Sequence, residues 1–214
     1  MTFKYYKPER LTIFIIALTV IFGAIATLVH HSITDLPAPV KNLIFFTDSF
    51  TVPFFIALIM HLINKKLWKS KQFKWLIDIP NLNGRYLGTI VSSYSPPGGS
   101  PVVLDCVLEI KQSATSLHIT AYFGTISTGF ISSSSFSVSE ELVPGKNGFF
   151  TLYYIFTNET GGISQKLNNH SGTAKYSYYP DKHKLEGVYY NVLGNKGEIK
   201  VSLEQTNLLG RLIP

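Results

Sequence analysis

An uncharged run near the start of the chain constrains the fold more than any other feature. Residues 11–29, LTIFIIALTVIFGAIATLV, hold no charged side chain over 19 positions. A helix of that length crosses a hydrocarbon core of roughly 30 Å. A second apolar run, residues 43–63, follows at once and is interrupted by Asp48, Pro53 and His61. The first run is too long for the apolar part of a secretory signal, so we predict two transmembrane helices, about 11–29 and 43–63.

The positive charge of the chain lies beside these two runs. Residues 1–76 carry nine Lys or Arg against three acids, a net charge of +6, whereas residues 77–214 carry ten of each. The second part therefore lacks the basic surface that long nucleic acids require, and we predict no such partner. Because the basic residues precede the first run and follow the second, the positive-inside rule predicts a multi-pass protein with both termini in the cytoplasm. Trp68 and Trp75, seven residues apart in the basic segment, would share one face of a juxtamembrane helix.

Small residues mark one side of the first predicted helix. Thr19, Gly23 and Thr27 lie four residues apart, a spacing that lets two helices approach closely. They can pack within one hairpin or between copies. Asp48 faces either a helix partner or a water-filled seam, since an ionisable group is costly in lipid, or it lies shallow near the headgroups. We assign these four residues to membrane helix packing.

The pattern changes after residue 76 from helical to alternating. Leu104, Cys106, Leu108 and Ile110 alternate with polar residues, which is typical of strands with one buried face. Turn residues separate eight such strands, about 84–93, 102–112, 116–123, 131–139, 149–157, 170–179, 184–192 and 197–205. Short connections favour antiparallel neighbours, and we predict an all-β domain, a small eight-stranded up-and-down barrel similar to a lipocalin. A two-sheet sandwich is the main alternative. The predicted domains are a membrane anchor, 1–76, and a cytoplasmic β-barrel ligand-binding domain, 77–214.

A candidate ligand site lies at one end of this barrel. In a meander, the connections 94–101, 124–130, 158–169 and 193–196 share the end opposite the membrane, and an eight-stranded barrel has room for one small ligand there. Rings for stacking, amide and imidazole groups for base edges and a cation for phosphate suit a ligand of nucleotide size. Five residues near this mouth supply these groups: Tyr154, His170, Tyr189, Asn191 and Lys196. Tyr86, Tyr176 and Tyr178 are interpreted as filling the closed end.

Motifs of catalysis and of metal binding are missing from the sequence. It contains no nucleophile elbow, no phosphate-binding loop, no His-Glu-x-x-His and no cysteine pair. The single cysteine, Cys106, excludes an internal disulfide and fits a reducing compartment. We predict a protein that is not an enzyme and has no cofactor and no metal.

Two segments of the predicted barrel carry distinctive motifs, the opening LNGRYLGTI and the closing HSGTAKYSYYPDKHKLEGVYYNVLGNKGEIKV. Together with the two spans and the basic linker, they resemble the membrane-anchored β-barrel effectors of bacterial CBASS antiphage defence, the two-transmembrane, β-strand-rich proteins encoded beside cyclic-nucleotide synthases. In the closing segment, Gly-Thr-Ala is followed by Gly-x-Tyr and Gly-x-Ile. Related sequences often have a tryptophan where this one has Tyr86.

This resemblance implies a receptor in the bacterial inner membrane. Its barrel would bind a cyclic dinucleotide made by a cognate synthase during infection, and binding would drive self-association into oligomers. Clustered helices would then disrupt the membrane lipid and kill the infected cell, as in abortive infection. Two alternatives remain open: a lipocalin-like carrier of hydrophobic ligands, and a structural membrane adaptor whose barrel binds a protein.

Overall fold

The fold consists of two compact units. A computed structural model of the protein describes residues 3–32, 37–95, 98–145, 148–160 and 169–213, and for residues 38–50 and 160 it describes the backbone only. One unit comprises Met1–Asp78 and Ser113–Ser116, and the other comprises Ile79–Gln112 and Leu117–Pro214.

Two long helices dominate the first unit. Helix α1, Pro8–Ser32, begins with proline and Glu9, both favoured in a first helical turn, and helix α2 is Ala38–Lys65. Among the described residues, α1 is the one helix long and apolar enough to cross a membrane; the apolar part of α2, Thr51–Lys65, is shorter. The predicted helix over 11–29 is confirmed, whereas a second membrane span stays a prediction.

The helices of the first unit contact each other through aromatic side chains. Phe22 of α1 and Phe55 of α2 stack with their ring centroids 5.4 Å apart. The predicted juxtamembrane helix is wrong, because Leu67–Lys69 and Lys71–Phe73 are separate 3₁₀ turns. Between them Ser70 adopts an extended conformation and its Oγ accepts the N–H of Gln72. Trp68 is consequently buried, while Trp75 is exposed.

The second unit is a closed barrel of eight strands. Every neighbouring pair is antiparallel, and the first strand pairs with both the second and the last. The strands are β1 Gly84–Ser92, β2 Val103–Gln112, β3 Leu117–Thr125, β4 Phe130–Pro144, β5 Phe150–Thr160, β6 His170–Tyr179, β7 Lys184–Asn191 and β8 Lys196–Gln205. The prediction of a closed antiparallel barrel is confirmed, and the sandwich alternative is wrong. Strand β4 was predicted to end near residue 139 but continues to Pro144.

The buried side chains follow the predicted alternation. Cys106, Leu108 and Ile110 of β2 are buried inside the barrel, as are Ile199 and Val201 of β8. Such alternation places one side chain in two against the interior, which is why a period of two predicts these strands.

Strand β2 departs from the pattern because its outward residues are buried as well. Val107 and Glu109 point away from the interior, yet neither is exposed. The chain after β8 explains this, since Leu209 and Gly210 each donate a backbone N–H to the Glu109 carboxylate. Leu212 is also fully buried. Residues 206–213, which we call the C-terminal strap, therefore cover part of the outer face of the barrel.

Candidate functional site

A cavity of about 310 Å³ lies inside the barrel at one end. All eight strands contribute to its lining, together with Tyr94, Val102, Leu193 and Asn195 from the connections after β1 and β7. We call this end, where β1, β3, β5 and β7 finish, the mouth. It is the end at which the sequence predicts a site, because these strand ends must meet in an antiparallel meander.

Four aromatic rings form one wall of the cavity. Tyr154 and Phe156 on β5, Tyr176 on β6 and Tyr189 on β7 all contact it. Their centroids are 5.5 Å apart for Tyr154 and Tyr176, 6.0 Å for Tyr154 and Phe156, and 6.4 Å for Phe156 and Tyr189. These separations and the steep tilts between rings are those of edge-to-face packing. The wall therefore presents flat apolar faces suited to stacking.

The tyrosine hydroxyls of this wall have partners inside the barrel. The Oη atoms of Tyr154 and Tyr176 are 3.0 Å apart, and Tyr189 Oη donates to Ser92 Oγ at 2.7 Å. Burial raises the pKa of all three hydroxyls above the ordinary tyrosine value. They are consequently neutral at physiological pH, where they act as hydrogen-bonding groups and not as charges.

Glycines of the closing segment leave room for these rings. A side chain at Gly172 would meet the ring of Phe156 at 2.4 Å, and one at Gly197 would meet the ring of Tyr189 at 2.5 Å. No side chain fits at such distances. The backbone carbonyl oxygens of Tyr190 and Val91 would lie equally close, at 2.4 and 2.3 Å, so both the rings and the neighbouring strands require these glycines.

Four of the five predicted ligand residues line the cavity. Tyr154, His170, Tyr189 and Asn191 contact it, whereas Lys196 is outside the lining given by the described residues. Lys196 begins β8 at the mouth, where its backbone N–H donates to Ser93 Oγ. The Oδ1 atom of Asn191 accepts the N–H groups of Leu193 and Asn195, so this amide also holds the turn between β7 and β8.

Several lining residues are absent from the predicted set. Tyr176, interpreted from the sequence as filling the closed end, reaches the cavity, as does Phe156. Strand β4 is rich in serine and pairs with β5 along most of its length, but with β3 only as far as Phe136. It contributes Ser133 and Ser135 to the lining, and Ser135 lies directly opposite Asn158 on β5.

The cavity lining is nearly free of charge. Among the described residues that form it there is no Lys, Arg, Asp or Glu, and His170 is its one imidazole. Within the same described ranges, no group of three or more His, Cys, Asp or Glu side chains is placed to hold a metal ion. The lining thus combines apolar faces with neutral hydrogen-bonding groups.

Of the residues assigned to helix packing, Thr19 and Thr27 are exposed on α1, and Gly23 is half-buried. Thr19 Oγ1 and Thr27 Oγ1 donate to the carbonyls of Ile15 and Gly23, four residues earlier. A side chain added at Gly23 would meet no atom within 4 Å, so within the described part of the chain nothing packs closely on it. The side chain of Asp48 lies outside the described residues.

An antiparallel barrel whose mouth leads into a cavity walled by aromatic rings is a ligand-binding barrel. Residues 77–203 match the family described as Cap15, cyclic dinucleotide receptor domain. The match covers more than half of the chain, so the chain belongs to this family and is a CBASS effector of the cyclic dinucleotide receptor class. No curated protein was found to match the chain. Most of the barrel lies within the matched residues, and the C-terminal strap follows them.

Proposed function

We propose that the barrel binds a cyclic dinucleotide in the cavity at its mouth, and that binding drives self-association and disruption of the bacterial inner membrane. The single observation that carries this proposal is the cavity of about 310 Å³ with its aromatic wall, in a chain of the cyclic dinucleotide receptor family. Aromatic faces bind nucleobases by stacking, at about 1–3 kcal/mol for each base.

Each predicted ligand residue has a role in this proposal. Tyr154 and Tyr189 supply ring faces, His170 and Asn191 supply polar groups near the mouth, and exposed Lys196 supplies a cation for a phosphate outside the cavity. The family membership supports the ligand class, and the placement of four of these residues around one cavity supports the site.

Coupling to the membrane requires that the ligand favour the associated state. A ligand shifts an equilibrium only by its differential affinity for the two states, so we propose that it orders a surface at the mouth that pairs with another copy. In this proposal residues 1–76 are the membrane anchor, with two spans and both termini in the cytoplasm, and residues 77–214 are the cytoplasmic receptor domain. The face of α1 that carries Thr19, Gly23 and Thr27 would then join helices of different copies.

A ligand screen on the full chain tests the proposal. The protein in detergent micelles is heated with 3′,3′-cyclic di-AMP, cyclic di-GMP, cyclic di-UMP or a mixed cyclic dinucleotide. Stabilisation of about 2.7 kcal/mol is expected when a ligand is present at 100 times its Kd, and light scattering should show a larger assembly with that ligand. Unchanged unfolding with every member of the panel would refute the proposal.

A carrier of hydrophobic ligands is the second candidate, because much of the cavity wall is apolar. Ile90, Leu104, Phe123 and Ile199 all line it. The same screen with fatty acids separates the two functions, since a carrier is stabilised by the lipid and not by the nucleotide. No feature of the described residues favours a structural adaptor in particular.

A further inference from the structure

Three polar side chains lie in the cavity wall with their polar groups directed to the cavity. Asn158 is 5% exposed and Ser135 is 3% exposed, and Ser133 is buried beside them. All three line the cavity. Within the described part of the chain, neither the Asn158 amide nor the two serine hydroxyls form a side-chain hydrogen bond. We call these three residues the polar wall.

Strand pairing places the polar wall on one surface. Ser135 of β4 is the direct cross-strand partner of Asn158 on β5, and Ser133 lies two residues further along the same inner face. Opposed residues of an antiparallel pair have Cβ atoms about 4.5–5.5 Å apart. Phe156, two residues before Asn158 on the same face, belongs to the aromatic wall. Flat rings and neutral donors and acceptors therefore meet at one place in the cavity.

These polar groups face the cavity, where a bound ligand can pair with them. An amide and two hydroxyls each offer both a donor and an acceptor. The edge of a nucleobase carries donors and acceptors in a plane, and asparagine recognises such edges through paired hydrogen bonds. The alkyl chain of a fatty acid cannot bond these groups, and its carboxylate could only accept hydrogen bonds from them.

The charge of the cavity determines which part of the ligand enters. A cyclic dinucleotide carries two anionic phosphates. The described residues that line the cavity include no Lys or Arg to pair with them. An unpaired charge is far more costly to bury than a neutral polar group. The volume, about 310 Å³, is at the lower end of the range for ligand pockets and suits a part of such a ligand.

We propose that the polar wall of Ser133, Ser135 and Asn158 recognises the hydrogen-bonding edge of one nucleobase, which enters the cavity while the phosphates stay at the mouth. The inference rests on the proposed function and adds to it the residues that discriminate between bases. Lys196, exposed at the mouth and outside the lining, lies on the side to which this arrangement assigns the phosphates.

The test compares Asn158→Leu and Ser135→Ala with Ser134→Ala in the full chain in detergent micelles. Ser134 lies on the same strand with the opposite orientation, opposed to the exposed residue Glu159, and is the matched control. Calorimetry measures the affinity of each protein for 3′,3′-cyclic di-AMP, cyclic di-GMP and cyclic di-UMP. We expect Asn158→Leu and Ser135→Ala to weaken the tightest of these ligands by about 10- to 100-fold and to reduce the preference among the three.

The thermal stability of the ligand-free variants provides the second readout. Because these side chains form no side-chain hydrogen bond with another described residue, their replacement should leave Tm nearly constant while affinity falls. A lower Tm for both variants would show that these groups serve the fold, and would overturn the inference. Unchanged affinity and preference in both variants would also overturn it while leaving the proposed function intact. If wild type binds none of these three ligands and no mixed cyclic dinucleotide, both proposals fail together.

Discussion

Arg85 and Glu109 form an ion pair on the outer face of the barrel, with 3.1 Å between Nη1 and Oε1. Their side chains are only 1% and 5% exposed. Arg85 also donates to the carbonyls of Arg211 and Leu212 at 2.5 and 2.6 Å, and its Nε contacts Glu204. One guanidinium therefore joins β1, β2, β8 and the C-terminal strap.

Breaking this pair should destabilise the barrel strongly. Arg85→Met leaves Glu109 buried without its cation and frees two carbonyls of the strap. We expect a loss of about 3–5 kcal/mol in the free energy of unfolding, as for other buried pairs with one partner removed. Urea unfolding of the full chain in detergent micelles, followed by the near-ultraviolet circular dichroism of the tyrosines, measures it.

An exposed ion pair provides the control for Arg85→Met. Lys200 and Glu198 are exposed, with 3.5 Å between Nζ and Oε2. Exposed pairs contribute about 0–1 kcal/mol, so Lys200→Met should change the unfolding free energy by no more than about 1 kcal/mol. Equal losses in the two variants would show that burial does not determine the contribution of Arg85.

Gly23→Leu tests whether α1 associates between copies. The added side chain has open space around it within one copy, and leucine is a better helix former than glycine, so each chain should fold normally. A bulky side chain would instead obstruct a close helix contact between copies. We expect dye release from liposomes, induced by the stabilising cyclic dinucleotide, to slow by about 5-fold or more. Ile25→Leu conserves volume at an exposed position of the same helix and should release dye at the wild-type rate.

Cysteine labelling tests the proposed membrane topology. The native Cys106 is fully buried, and burial raises the pKa of its thiol, so its background reactivity should be low. Ser32, at the end of α1, and Gln72, after α2, are both exposed. With two spans, Ser32→Cys reacts with an impermeant maleimide in intact spheroplasts, whereas Gln72→Cys reacts only after lysis. Labelling of both before lysis would mean that α2 does not cross the membrane.

Much of the barrel could be predicted because its information is local. Alternation of the kind seen along β2 and β8, with turn residues between strands, defines eight strands. The seven connections between them favour antiparallel neighbours, and eight such strands can close into a barrel. The same connectivity places Tyr154, His170, Tyr189 and Asn191 together at the mouth. Predicting their position required only the inward or outward parity of each residue and the direction of each strand.

The remaining features depend on contacts between residues far apart in the chain. The C-terminal strap has no apolar period, and its position depends on hydrogen bonds between Arg85 and residues more than 120 positions away. The polar wall was missed for a second reason. Ser133 and Ser135 stand at inward-facing positions of β4, but serine is not hydrophobic. A search for alternating apolar residues therefore passes over them.

The hydroxyl pair of Tyr154 and Tyr176 should show coupling in a double-mutant cycle. Tyr154→Phe leaves the Tyr176 hydroxyl buried without its partner, which costs about 1–3 kcal/mol, and Tyr176→Phe does the same to Tyr154. The double variant leaves neither group unsatisfied, so its loss should be smaller than the sum by about 1 kcal/mol or more. Urea unfolding of the four ligand-free proteins measures the cycle. Additive losses would mean that the two hydroxyls do not stabilise each other.

Buried tyrosines should make the barrel sensitive to alkaline pH. Burial raises the pKa of Tyr154 and of Tyr176 in the folded state, while in the unfolded state both titrate near 10. Below pH 10 both states hold the proton and the full stability is present. Above it the unfolded state loses the proton first, so each such tyrosine should lower the unfolding free energy by about 1.4 kcal/mol per pH unit.

A pair of neighbouring variants isolates this effect from the other groups that titrate at high pH. Tyr154→Phe removes one buried tyrosine, whereas Tyr153→Phe removes the exposed tyrosine beside it on β5. Urea unfolding is measured between about pH 9 and pH 11, a range that brackets the ordinary tyrosine pKa. The unfolding free energy should decline less steeply with pH for Tyr154→Phe and with the wild-type slope for Tyr153→Phe. The comparison uses slopes, so the constant loss from breaking the hydroxyl pair does not affect it. Parallel slopes in all three proteins would mean that Tyr154 ionises as readily in the folded barrel as in the unfolded chain.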